Sequence, residues 1–213
     1  MTITVTLEQL ARLAPRMQPR YREAFRTGQA ALDLWGISAT PQRVAHFLAQ
    51  VLHESQALTV EYENLDYSTA RLAAVWPSRF GRGASLSAAA YAHDPRKLAN
   101  LVYGKRMGNS APDDGYTYRG RGLLQLTGKD SYARATRAVL ASVAGSPDFV
   151  ARPDAVLDPR WCLHVAAAIW QDKGCNQLAD AGDLSELTRR INGADNGLAE
   201  RDAWCRSTGE IWC

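Results

Sequence analysis

The sequence predicts a mainly α-helical domain carrying a small irregular or β-containing insertion. Three observations point there. Apolar residues recur at helical spacing through most of the 213 positions, Thr, Asp, Pro and Gly punctuate those runs as caps and stops, and no strand-helix alternation calls for a parallel sheet. With 46% hydrophobic residues the chain can bury a substantial core, and its length suits one domain. Residues 1–213 are read as that single domain, with 1–35 as an N-terminal helical extension.

Thr6 and Gln9 make a capping box for a first helix bearing Leu7, Leu10, Ala11 and Ala14, which Pro15 stops. Tyr21, Ala24, Phe25, Leu32 and Trp35 follow as one amphipathic run ended by Gly36. The next helix is the best defined. Thr40 caps it, Pro41 suits the first helical position, and Val44, Phe47, Leu48, Val51 and Leu52 form one apolar stripe as far as about Glu54. Glu54 lies at the margin of that stripe, while His53 points elsewhere.

From Tyr103 to Gly128 glycines interleave with Tyr116, Tyr118 and arginines and helical periodicity is lost, so this stretch is the insertion of loops and short strands. Periodicity resumes over Tyr132 to Val143, and again after Asp158-Pro159 in the apolar run Leu163 to Trp170, a candidate central helix. Asp183 caps a helix holding Leu184, Leu187 and Ile191, Asn192-Gly193 ends it, and a last helix carries Trp204 and Ile211.

Composition narrows the function. A net charge of +3 is mild, enough for weak attraction to anionic surfaces such as bacterial walls and far from a nucleic-acid-binding signature. No apolar stretch approaches the roughly 18 residues of a membrane span, and Met1 to Gln9 lacks the basic-then-apolar pattern of a secretory signal. The expectation is a chain made in the cytoplasm without a signal peptide and without stable membrane insertion. Cys162, Cys175, Cys205 and Cys213 show no zinc-site spacing and are expected to be small buried thiols, although an oxidising compartment would allow them to pair.

Cleavage of a glycosidic bond commonly uses two carboxyl groups, one protonated to assist the leaving oxygen and one ionised to activate water or attack the sugar. Glu54 and Glu63 are the pair that fits. At an apolar helix end Glu54 would be partly desolvated, which disfavours the anion as a proton donor requires. Glu63 follows in Glu61-Tyr62-Glu63-Asn64-Leu65, past the helix, where a loop can carry it across a cleft; Glu61 is then the solvated acid. Spacing alone favours the plainer reading, a surface acid near a helix end and an ordinary loop acid.

Longer motifs shift that weighting. His53-Glu54-Ser55, then Glu63-Asn64-Leu65-Asp66-Tyr67-Ser68, then Trp76-Pro77-Ser78-Arg79-Phe80 resemble successive motifs of glycoside hydrolase family 19, in the family's order. Tyr103-Gly104-Lys105-Arg106-Met107-Gly108-Asn109, the run from Tyr118 through Gln125-Leu126-Thr127 to Gly128, and Ile191-Asn192-Gly193 with Arg201 resemble the same family's core. The resemblance spans residues 40 to 205, roughly.

That resemblance implies a lysozyme-like α+β fold and assigns Glu54 as general acid, Glu63 as general base and Thr127 as the hydroxyl that positions the attacking water. Gln125 would bind sugar, and Asn192 and Arg201 would line or brace the cleft. Tyr67, Tyr116 and Tyr118 are further cleft candidates. The family resembles inverting glycosidases, which implies water between two carboxyls roughly 6.5 to 9.5 Å apart and no metal or organic cofactor. After Gln125-Leu126-Thr127 the chain reads Lys129-Asp130-Ser131-Tyr132 where plant-type chitinases carry an Asn-Tyr-Asn-Tyr-like stretch. The implied substrate is therefore peptidoglycan, as in phage endolysins and bacterial lysozymes, with chitin as the alternative and a noncatalytic glycan-binding protein behind both. A monomer exported by a holin or a dedicated secretion machine completes the picture.

Other signals carry less. Gly120-Arg121-Gly122 lacks the full GxGxxG or GxxxxGK[ST] pattern of a phosphate loop. His53-Glu54 has Ala57 where the second histidine of an HExxH zinc site would stand. His46, His93 and His164 accompany no nucleophile motif, and Trp161, Trp170, Trp204 and Trp212 fall on helical patterns where core packing is the commoner explanation.

Overall fold

Helix formation follows the caps and apolar spacing almost everywhere in the computed structural model, which describes residues 2–213. In chain order the helices are α1 (Leu7–Leu13), α2 (Pro19–Thr27), α3 (Gln29–Leu34), α4 (Pro41–Glu54), α5 (Thr69–Val75), α6 (Pro77–Phe80) and α7 (Pro95–Tyr103). They continue with α8 (Asp114–Thr117), α9 (Lys129–Ser142), α10 (Cys162–Asp172), α11 (Cys175–Asp180), α12 (Leu184–Asn192) and α13 (Leu198–Trp212). The β component of the insertion is two isolated antiparallel bridges, Tyr62 with Arg121 and Arg121 with Leu126. In place of a strand ladder, the buried Arg121 guanidinium holds this region, donating to the Thr117 carbonyl, the Tyr132 hydroxyl at 2.9 Å and Asp154 at 2.8 Å.

The capping signals act as expected. Thr6 accepts from the Gln9 amide while the Gln9 side chain returns to the Thr6 amide, and Thr40 and Asp183 accept from Arg43 and Glu186. Gly193, at φ +81, closes α12 in the left-handed conformation that glycine adopts without strain. The run from Tyr21 to Trp35 differs from its expectation, because it breaks into α2 and α3 at Gly28. A Cβ there would stand 2.4 Å from the Ala24 carbonyl oxygen, a backbone contact that favours glycine, and would also meet the Leu163 side chain of α10.

Three apolar clusters fill the interior. The largest joins α4 and α10 to α1, α2, α3 and α13, with Phe47 meeting Trp170 edge to face at 5.3 Å. α4 is buried well beyond a single stripe because α13 runs along it and α11 and α12 also touch it. The second cluster sits between α9, α10 and residues 149–157, and the third gathers Leu72, Phe80 and Leu98 of α5 to α7 with Leu65 from the preceding loop. α5, α6, α7 and α11 lie outside the helices assigned from sequence; they are short, although Ser68 caps α5, Asp94 caps α7, and α6 and α7 begin on proline. Trp161, Trp170 and Trp212 are buried and Trp204 packs on the core, as their helical positions suggested. Two cysteines depart from the expectation of buried thiols: Cys162 and Cys175 are buried, Cys205 is half-buried and Cys213 is exposed.

Residues 2–35 pack into the main cluster and do not line the cavity described below. Their contribution is a brace. The Gln18 amide donates to the Leu58 carbonyl, its side chain to the Thr59 carbonyl, and the buried Tyr21 hydroxyl to the Val60 carbonyl. These bonds hold the segment that joins Glu54 to Glu63.

Candidate active site

Glu54 is the last residue of α4, and the turn that follows is unusual. Gln56, Ala57 and Leu58 stand consecutively at positive φ (49°, 56° and 61°), a conformation that side chains with a Cβ adopt only when their surroundings impose it. Ser55 supplies much of that constraint. Fully buried, its hydroxyl donates to the Val51 carbonyl at 2.6 Å and accepts from the Leu58 amide at 2.9 Å. The chain therefore leaves α4 abruptly, runs under the brace of α2, and brings Glu63 back to the same cavity as Glu54.

That cavity encloses about 530 Å³, and Glu54, Glu63, Gln125, Thr127 and Asn192 all line it. The two carboxyls differ in their partners. Arg201, on α13 and 1% exposed, donates to Glu54 Oε1 at 2.5 Å and through its other terminal nitrogen to Gln50 Oε1. The expected apolar setting of Glu54 is thus corrected: a buried guanidinium, which side-chain spacing along α4 could not reveal, faces one of its oxygens. Arg201 lies behind the cavity as a brace and does not line it.

Glu63 is held from two sides. The Tyr103 hydroxyl donates to Oε2 at 2.6 Å, the Gly120 amide donates to Oε1 at 2.5 Å, and the Glu63 amide donates back to the Gly120 carbonyl at 3.0 Å. Burial first, and then the neighbouring Glu63 carboxylate, push the Tyr103 phenol above its usual range, so it remains a donor. Gly120 is required by close approach, since a Cβ there would lie 2.9 Å from Gln125 Oε1 and 3.2 Å from Glu63 Cβ.

Gln125, itself at φ 49°, directs its amide nitrogen to the Gly122 carbonyl at 3.0 Å. Thr127 donates its hydroxyl to the Gln125 carbonyl at 2.8 Å, which leaves its oxygen lone pairs available as acceptors on the cavity wall. The Asn192 side chain reaches the Asn196 carbonyl at 3.4 Å.

Three tyrosines do not join them. Tyr118 is 5% exposed, packs on Tyr132 and donates its hydroxyl to the Val150 carbonyl at 3.1 Å; it belongs to the core. Tyr67 packs against Trp76 at 5.2 Å in the third cluster, and Tyr116 is covered by the Arg119 guanidinium at 4.0 Å. Tyrosines outside the helical runs look like cleft residues in sequence, and only the packing shows which ring is used as filler. Glu61 also differs from its solvated expectation, lying 3.7 Å from Arg20 with 22% of its side chain exposed.

The sequence reading gave no role to Tyr103, the Gly120 amide, Arg134 or Lys173. Tyr103 ends α7 and meets Glu63 across 40 residues, a contact with no local signature. Among the described residues there is no cluster of His, Cys, Asp and Glu suited to a metal ion, and no helix is long and apolar enough to cross a membrane.

No protein-family model matches the chain. A Haemophilus influenzae protein named glycosyl hydrolase family 19 domain-containing protein is 40% identical over 159 residues, 74% of this chain and 74% of that one. Chitinase C from Streptomyces griseus HUT6037 shares the fold with a TM-score of 0.63 over 99% of this chain and 93% of its own, at 17% identity. A bacterial family 19 chitinase does so with a TM-score of 0.60 over 97% and 96%, at 21% identity. The mainly helical, lysozyme-like architecture is therefore shared with family 19 chitinases, and the chain belongs to glycosyl hydrolase family 19, as a glycoside hydrolase.

Proposed function

We propose that this chain is a peptidoglycan hydrolase of the endolysin type, cleaving β-1,4 bonds between N-acetylmuramic acid and N-acetylglucosamine by an inverting mechanism. The observation that carries the reading is the meeting of Glu54 and Glu63 on one cavity with unlike partners. Arg201 occupies Oε1 of Glu54, while Oε2 makes no hydrogen bond among the described residues, so the transferable proton belongs on Oε2. As that proton moves to the leaving oxygen, the charge left on Glu54 develops against a guanidinium already in place. Both oxygens of Glu63 accept hydrogen bonds, the arrangement of an ionised base, and the Thr127 hydroxyl is the neighbour that orients water between the two.

Substrate preference is supported by the segment after Thr127. Lys129 donates to Asp114 at 3.2 Å, Tyr132 is buried, and Ser131 reaches the cavity, so no chitin-contacting amide stands there. The protein would act as a bacteriolytic monomer on glycan strands at the wall or periplasm, delivered by a holin or secretion machine and requiring no cofactor. A second reading, chitin hydrolysis, is favoured by the chitinases that share the fold.

Reducing-end release and product mass spectra from purified peptidoglycan and from chitin oligomers test both. The native chain should cut peptidoglycan, and Glu54→Gln and Glu63→Gln should each lower kcat about 100-fold or more. Cutting of chitin alone would establish the second reading, and native-like rates in both variants would remove the mechanism.

A further inference from the structure

The cavity extends beyond the two glutamates to a stretch of wall where α9 meets the end of α10. Ala135, Ala138, Ala168 and Ile169 make an apolar patch there, bordered by Ser131, Arg134, Asp172 and Lys173. The proposed chemistry uses none of these residues. Among the described residues Tyr103 is the only aromatic one lining the cavity, so this wall offers small methyl groups and charge where a ring-stacking sugar site would offer aromatic faces.

The cations are only lightly engaged. Arg134, half exposed, donates from Nη2 to the Ser131 hydroxyl at 3.0 Å, and its Nε lies 3.7 Å from Asp172; its Nη1 has no hydrogen-bond partner among the described residues. Lys173 gives one N–H to the Arg190 carbonyl at 2.5 Å, which leaves two of its three donors. With Asp172 counted, the border keeps one net positive charge, from two cations and one anion. A polymer of N-acetylglucosamine is neutral and has nothing to match it. A muramyl residue carries at C3 a lactyl ether, continued in peptidoglycan by an acidic peptide stem.

We propose that this wall is the subsite for the acidic C3 substituent of the muramyl residue, with Arg134 and Lys173 as specificity-determining side chains; the inference rests on the peptidoglycan reading above. The apolar patch takes the lactyl and alanyl methyl groups, and the guanidinium and ammonium meet the carboxylates. Asp172 holds Arg134 in place without cancelling the site.

The test compares kcat/KM on stem-bearing glycan strands, on the same strands after amidase removal of the stems, which leaves the lactyl carboxylate, and on chitin oligomers of equal length. The native chain should prefer muramyl strands, and Arg134→Gln with Lys173→Gln should reduce the preference about tenfold. The charge reversal Arg134→Glu should reduce it at least as far, with melting curves confirming that each variant is folded. Faster cutting of the stripped strands locates the recognised acid on the lactyl group, whose carboxylate is free only once the stem amide is cut, and preference for stem-bearing strands locates it in the peptide. A muramyl preference that both variants retain overturns the subsite while the peptidoglycan reading stands. No cutting of either muramyl strand by the native chain overturns the reading itself.

Discussion

Tyr103 and Glu63 face each other across 40 residues of chain, the phenol donating to Oε2 at 2.6 Å while the Gly120 amide takes Oε1. A carboxylate held at both oxygens cannot rotate without breaking a charge-assisted hydrogen bond, so its orientation toward bound water is set before substrate arrives.

Replacing Tyr103 by Phe keeps the ring and removes the donor. One charge-assisted bond is worth about 1.5–3 kcal/mol, so kcat should fall roughly 10- to 100-fold with a much smaller change in KM. Steady-state kinetics on soluble glycan fragments check this, and an unchanged kcat would mean that Gly120 alone orients Glu63.

Arg201→Met leaves the Glu54 carboxyl without its buried partner. Removing one member of a buried pair costs about 3–5 kcal/mol, and the charge developing on Glu54 loses its counter-ion. Both the denaturant midpoint and kcat should drop. Arg201→Lys should recover little of either, because one ammonium cannot serve Glu54 and Gln50 with the fork geometry of a guanidinium.

Ser55→Ala deletes two buried hydrogen bonds that enforce three successive left-handed residues. The cost should be about 1–3 kcal/mol in urea unfolding. Faster amide exchange should be confined to the turn at residues 56–60, the part of the chain that the Ser55 hydroxyl ties down.

Acid should weaken the fold in two stages. Burial holds His46, His53 and His164 below their ordinary range, and for His53 the nearby Arg201 adds to it. The unfolded chain therefore takes up protons that the folded chain refuses, so stability is present above the ordinary histidine value of about 6.5 and declines as pH falls through it. Asp113, lowered from 3.8 to about 2 by hydrogen bonds from Arg96 and Asn100, contributes stability that begins to be lost as pH falls through the ordinary carboxylate range and is gone below about 2. Melting temperature measured from pH 8 to pH 3 should show the first decline near 6.5. His164→Asn should lessen it while retaining an acceptor for Trp35, whose indole donates to His164 at 3.1 Å.

What the sequence by itself determined was local. The Thr6, Thr40 and Asp183 caps, the stop at Gly193 and the apolar spacing of α4 depend on residues within a few positions of one another, and each appears where its pattern stands. Family motifs added Glu54, Glu63, Gln125 and Thr127, which share one cavity. Tertiary structure decided what depends on distance along the chain. Arg201 reaches Glu54 across 147 residues and Gly120 reaches Glu63 across 57, while one apparent helix divides into α2 and α3 at Gly28. Packing also consigned Tyr118 to the core while placing Tyr103 at the carboxylate, a choice between two phenols that no local pattern distinguishes. Side-chain chemistry specifies what a residue is able to do, but its neighbours, its burial and its counter-charge come from segments remote in sequence, and those are properties of the fold.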